Sequence, residues 1–210
     1  MGNDGAETRE RIMAATKDAL IEKGFSGLTM SDIAARSNTS TSLLHYHFDT
    51  KEELLIAFLD FQVEAINTDI AAIADDNPID RIHELLSWYV VHADQEQERQ
   101  AFHVALLELR VNAPRNEQFR SRIRQADRAI RAGLESAIED GINADLIRHI
   151  DPAETAALLL AAADGANTRR LFTGEAIYER TVEEALTDQL LADVFSADAL
   201  ARWRSLLEGL

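Results

Sequence analysis

Ser40-Thr41-Ser42-Leu43-Leu44-His45-Tyr46-His47 gathers three aliphatic hydroxyls, two imidazoles and a phenol within eight residues. These groups donate and accept hydrogen bonds without carrying a fixed charge. Hydroxyls and imidazoles pair with several kinds of base edge, unlike an arginine, which prefers guanine. Catalysis is a poor use for the set. His45 and His47 lie two residues apart, which puts them on different sides of a helix, and His83, His92 and His103 lack metal-ligand spacing with a nearby carboxylate. The sequence has no glycine-rich phosphate loop, nucleophile elbow or HExxH motif. Neither an enzyme nor a resident cofactor or metal is expected.

The surrounding residues predict how that cluster is held. Thr29 followed by Asp32 is a capping box that opens a short helix, with Ile33 and Ala34 small enough to bury. Ser37-Asn38-Thr39 supplies a tight turn, because Asn tolerates the left-handed conformation. Ser40 caps the next helix by accepting a backbone amide bond. That helix is expected to expose Thr41, Ser42, His45 and Tyr46 and to turn Leu43, Leu44 and Phe48 inward. Two short helices around such a turn form the frame of a helix-turn-helix over residues 29–48, whose second helix enters the DNA major groove. The same spacing also suits a helical hairpin with no nucleic-acid role. Upstream, Thr8 to Lys23 is amphipathic, with Ile12, Ala15 and Ala19 on one stripe, Gly24 as its stop, and Phe25 and Leu28 as core plugs. Downstream, Thr50-Lys51-Glu52-Glu53 is a second capping box. It opens a long helix with Leu55, Leu59, Val63, Ile66, Ile70 and Ile73 in helical period.

Thr8, Ile12, Ala15, Gly24, Phe25, Thr29, Asp32, Ile33, Ala34, Ser40, Leu44, Phe48, Lys51, Glu52 and Leu54 stand at the spacing of the tetracycline-repressor (TetR) family, which the first fifty-odd residues resemble. The remaining three quarters resembles that family only in helical pattern, in length and in Asp164-Gly165. The resemblance implies an all-α fold with a three-helix DNA-binding domain at 1–50, a connector helix at 51–74 and a helical effector-binding and dimerisation domain at 75–210. It implies DNA contacts from Thr29, Ser31, Arg36, Ser40, Thr41, Ser42, His45, Tyr46, His47 and Lys51. It also implies a homodimer on a pseudo-palindromic double-stranded operator, an unknown small-molecule effector and, usually, repression. Six positions depart from the pattern. Ser37-Asn38-Thr39 replaces Ala-Gly-Val, which puts a hydroxyl where a buried Val normally sits. Thr41 and Ser42 stand where Gly or a basic residue is common, and His45 replaces a phosphate-touching Tyr.

Charge runs against phosphate binding. The 210 residues carry 21 basic and 37 acidic side chains, a net of −16. Residues 1–50 account for only −2 of that, with Arg9, Arg11, Lys17, Arg36 and nearby Lys51 as candidate phosphate contacts. Lysine occurs only at 17, 23 and 51. That balance resembles cytoplasmic proteins of halophilic archaea, whose molar salt shrinks the screening length to roughly 3 Å. The same salt removes most of the counterion-release gain. Cysteine is absent, no apolar run spans a membrane, and the polar N-terminus does not read as a signal peptide. A cytoplasmic protein without a membrane partner is expected.

Beyond residue 75 the pattern predicts helices from Pro78 to about Ala93, Gln95 to about Arg110, and Asn116 to Asp140 with Gly141 as the stop. Further helices are expected from Pro152 to Phe172 after an Asp151 cap, from a Thr181-Glu184 cap onward, and from Ala197 to Leu207, the last either separate or continuous with its predecessor. Pro152 to Phe172 is rich in small residues. By the resemblance, Leu158, Ala162, Gly165, Arg169 and Phe172 are dimer-interface candidates, although an ordinary core helix would read the same. Trp88, Tyr89, His92, Phe102, His103, Leu106 and Asn167 have the aromatic and polar chemistry of an effector pocket. Plain packing would use the same residues. A helical ligand-binding protein that has lost DNA affinity remains the rival reading.

Overall fold

The computed structural model describes residues 3–74, 76–88, 96–175 and 177–208, with side chains from residue 7 onward except those of 96–99 and 179. The described residues form helices joined by turns and loops, without a strand. One isolated antiparallel bridge joins Ile147 and Phe195. The helices are α1 (Asn3–Gly27), α2 (Met30–Arg36), α3 (Thr41–His47), α4 (Lys51–Ala72), α5 (Pro78–Ser87), α6 (Glu96–Asn112) and α7 (Glu117–Asn143). They continue with α8 (Pro152–Thr173), α9 (Ile177–Ala185), a π-helical turn (Leu186–Leu191), α10 (Ala192–Val194) and α11 (Ala197–Glu208).

These elements pack as two compact units, residues 1–65 with 97–126, and residues 66–96 with 127–210. In the first unit Ile12, Met13, Leu20, Leu28, Ile33, Leu44, Leu54, Leu55 and Phe58 are buried together with Ala105, Leu109 and Phe119. The α6–α7 hairpin therefore packs in the same core as the N-terminal helices, so packing does not follow chain order. α1 loses helical geometry at Gly24, whose φ of 66° only glycine adopts freely. Leu28 then bonds back to the Gly24 carbonyl at 3.1 Å and is buried, as the sequence predicted. At the start of α4, Thr50 accepts the Glu53 amide at 3.1 Å, while the Glu53 carboxylate reaches the Asp49 amide at 2.8 Å instead of that of Thr50.

The second unit is organised around Ile82, Leu85, Leu134, Ala137, Ile138, Ala156, Leu159 and Trp203. Asn77 and Asp151 cap α5 and α8, each with proline at the first helical position. Gly174, at φ 71°, closes α8 through its amide to the Arg170 carbonyl.

Two predicted boundaries fail for identifiable reasons. Gly141 does not stop α7. It lies inside the helix, where an added Cβ would come within 2.6 Å of Ile147 Cδ1; its carbonyl also takes the Leu146 and Ile147 amides at 2.9 and 3.0 Å. The glycine makes room for the returning loop, and Asp145 (φ 57°) supplies the left-handed turn. Thr181 caps nothing, because α9 already starts at Ile177. The last segment is a separate helix, since Phe195 is extended. α11 is fixed by paired bonds of 2.7 Å from Arg202 to Asp80 and by Trp203 Nε1–H donating to Thr187 at 3.0 Å. Arg202 holds the Asp80 carboxyl below the usual carboxylate range.

Candidate nucleic-acid interface

α2 begins with the predicted capping box. Thr29 Oγ1 accepts the Asp32 amide at 3.2 Å, and Asp32 Oδ2 accepts the Thr29 amide at 3.0 Å and its hydroxyl at 2.6 Å. The Thr29 hydroxyl thereby depresses the Asp32 pKa. Thr29 is thus used within the fold, whereas Ser31 stays exposed. In the turn, Ser37 is buried yet satisfied: its hydroxyl donates to the Ile33 carbonyl at 2.8 Å and shares a 2.7 Å bond with Thr39 Oγ1. Asn38 adopts φ 52°. The three departures in the turn therefore cost no unpaired polar group.

Ser40 caps α3 by accepting the Leu43 amide at 3.0 Å, and the Phe48 amide closes the other end on the Leu44 carbonyl at 2.8 Å. Leu44 is fully buried and Phe48 half-buried, which locks the helix onto the core. Ser42, His45, Tyr46 and His47 share the exposed surface, with Tyr46 82% accessible and its ring 5.2 Å edge-on from that of His47. Thr41 is half-buried. Leu43, expected inside, is 39% exposed, because the inward direction set by Leu44 and Phe48 leaves residue 43 about 100° to one side.

The cations around this face are largely engaged. The Arg36 guanidinium pairs with Glu22, whose pKa it lowers, and donates to the Asp32 carbonyl at 3.2 Å. Arg9 pairs with Glu64 at 3.1 Å, and the Lys17 ammonium lies 5.3 Å from the Phe102 ring. Lys51 donates to the Phe25 carbonyl at 2.9 Å and sits 5.0 Å over its ring. It ties the start of α4 to the end of α1 within the head. Sequence reasoning missed this tie and its counterpart from Glu108 to the Phe25 amide, because no local signal marks contacts across 26 and 83 residues.

Residues 12–58 match the family described as bacterial regulatory proteins, tetR family, and residues 78–196, more than half the chain, match the BetI-type transcriptional repressor C-terminal domain. A TetR transcription regulator from Haloarcula marismortui is 32% identical with a TM-score of 0.78, covering 91% of this chain and all of that one.

The chain belongs to the TetR family.

Among other solved TetR-like structures, a transcriptional regulator from Saccharomonospora viridis in complex with choline shares the fold, at TM-score 0.75 and 18% identity, over 91% of this chain and 99% of that one. Two curated relatives match over shorter stretches. An HTH-type regulator of the lacX 3′ region in Lactococcus lactis is 28% identical over 97 residues, and CymR of Pseudomonas putida is 35% identical over 60. These matches take in 44% and 29% of this chain and span only 47% and 30% of the relatives' own lengths.

The effector candidates that the structure describes fall in both units. Phe102 and Leu106 pack on the core of the first unit, which also contains His103. Trp88 packs on the core of the second, where Asn167 is buried in α8 beside Arg170. Tyr89 and His92 lie outside the described residues. The dimer candidates do share one face of α8: Leu158 is 52% and Phe172 76% exposed, a Cβ at Gly165 would meet nothing within 4 Å, and Arg169 stacks 5.4 Å from the Tyr178 ring. No described helix is long and apolar enough to cross a membrane.

Proposed function

We propose that this TetR-family chain is a sequence-specific, DNA-binding transcriptional repressor, acting as a homodimer and released by a small-molecule effector. The observation that carries the reading is α3, which is capped at both ends, anchored by Leu44, and presents Ser42, His45, Tyr46 and His47 to solvent. Hydroxyl, imidazole and phenol groups on a rigid helix can bond base edges in a major groove. Two copies read a pseudo-palindromic operator when their α3 helices stand about 34–36 Å apart. The open face of α8, with Leu158, Ala162, Gly165, Arg169 and Phe172 at helical spacing, supports dimerisation through that helix.

The protein works in the cytoplasm without an enzymatic activity or a resident cofactor. Its effector draws on residues among Trp88, Tyr89, His92, Phe102, His103, Leu106 and Asn167. Choline is the first compound to test, because one fold neighbour was solved with choline. Aromatic faces suit a quaternary ammonium.

A second reading, a ligand-binding protein with lost DNA affinity, is favoured by the ion pairing of Arg9 and Arg36 and by the equal number of acids (Asp32, Asp49) and fixed cations (Arg36, Lys51) in residues 29–51. A mobility-shift assay in molar KCl with DNA from upstream of the gene separates the two. Retardation that choline or another small molecule reverses supports the repressor. No retardation, together with a ligand-induced rise in Tm, supports the rival.

A further inference from the structure

The peptide of Phe25 is held at both ends by different helices. Its N–H donates to the Glu108 carboxylate of α6, and its carbonyl accepts from Lys51 Nζ at the start of α4. The geometry is specific to this site. Gly24, at φ 66°, turns the chain out of α1 so that the Phe25 amide leaves the helical bonding pattern. A Cβ on Gly24 would meet Glu108 Oε2 at 2.9 Å and Oε1 at 3.0 Å, so the glycine also makes room for the carboxylate. The Phe25 ring stands edge-on to buried Phe119, with centroids 6.1 Å apart. A bond to an ionised acceptor is roughly twice as strong as a neutral one. A hydrogen bond tolerates only a few tenths of an ångström of stretch.

We propose that Glu108 is a positioning residue for DNA reading, tying α6 through the Phe25 peptide and Lys51 to the frame that holds α3. The proposal rests on the repressor reading given above. Phe25 precedes α2, and Lys51 follows α3 by four residues, so the clamp brackets the reading motif on both sides. α6 is bound to the same core by Ala105 and Leu109 and to α1 through Phe102 and Lys17. A displacement of the C-terminal end of α6 must either break the Phe25 bond or carry the turn between α1 and α2 with it. Arg122 and Asp60 pin α7 to α4 by paired bonds of 2.9 and 3.3 Å, and the Glu108 bond is a polar link from α6 to the turn that precedes α2.

The test uses the full chain in molar KCl, with upstream DNA as the probe and hydrogen exchange at the Phe25 amide as a readout independent of DNA. Glu108→Ala is expected to keep its helical circular dichroism, speed Phe25 exchange and weaken operator binding about tenfold, a typical size for coupling through one residue. Glu108→Gln keeps an oxygen that can accept the Phe25 amide and should restore most of both. A role confined to stability would lower Tm and leave affinity well below Tm unchanged. Operator binding by Glu108→Ala equal to wild type overturns the proposal, as does failure of Glu108→Gln to restore it. If Glu108→Ala does not fold, Glu108→Gln decides by exchange: retained Phe25 protection supports the clamp and lost protection overturns it. Absence of operator binding by the wild type, in contrast, defeats the repressor reading itself and this proposal with it.

Discussion

Tyr46 shows how the reading surface can be separated from the fold. It is 82% exposed, and its recorded ring contact is with His47, which is itself exposed. Truncating it should leave stability within about 0.5 kcal/mol of wild type, as for surface positions generally. Operator affinity should nonetheless fall, because a good base contact is worth about 1–3 kcal/mol. Tyr46→Ala and His45→Ala are therefore expected to bind the operator roughly ten- to a hundredfold more weakly with an unchanged thermal melt. Equal affinity for wild type and both variants, measured by fluorescence anisotropy, would place the reading surface elsewhere. Lys51 and Arg36 belong to a different class. Their charges are used within the head, on the Phe25 carbonyl and on Glu22, so changing them alters structure as well as contact.

The elements that could be read in the sequence are those with local causes. The caps at Thr29, Ser40 and Asp151, and the break at Gly24, all depend on residues within four positions of one another. Gly141 misled because its reason for being glycine is Ile147, packed against it after the chain has turned back. Thr181 looked like a cap but falls inside α9, and nothing local announces the π-helical turn that follows. The exposed residues of α3 were legible from its cap and from Leu44. The Glu108–Phe25 and Lys51–Phe25 ties were not, because tertiary packing alone brings them together. Helix α8 carries its own test. Its inward stripe, Ala156, Leu159, Leu160, Ala163 and Ala166, is buried, while Leu158, Gly165 and Phe172 on the other side are open within one subunit. A Cβ at Gly165 meets nothing within 4 Å in a lone subunit, so Gly165→Trp should be tolerated there but not against a close twofold mate. Sedimentation in molar KCl should show a dimer for wild type and a monomer for Gly165→Trp, with helical content retained. A dimeric Gly165→Trp would exclude this face as the interface.

At the scale of the whole molecule, the 21 cations cannot neutralise the 37 acids even if every one is paired. Two opposing effects of salt follow. Exposed ion pairs such as Arg120–Glu117 and Arg204–Asp188 weaken when screened, but each contributes only about 0–1 kcal/mol. The net −16 repels itself in the folded state more than in the expanded chain, and that repulsion is relieved as the Debye length falls from about 10 Å at 0.1 M to about 3 Å at 1 M. Repulsion acts over all pairs of like charge and dominates, so folding should strengthen with KCl. A gain of about 2 kcal/mol between dilute buffer and 1 M KCl would raise Tm by roughly 4–8 °C for a chain of this size. Operator binding should respond differently. With Arg36 and Lys51 already engaged, few phosphate charges are neutralised, and the slope of log affinity against log salt, about −0.9 per phosphate, should be shallow. Thermal melts and anisotropy titrations over the same KCl series check both trends. A Tm that falls with salt would show that ion pairs, not net repulsion, govern this fold, and a steep loss of DNA affinity would show that phosphate attraction outweighs the short-range contacts of α3.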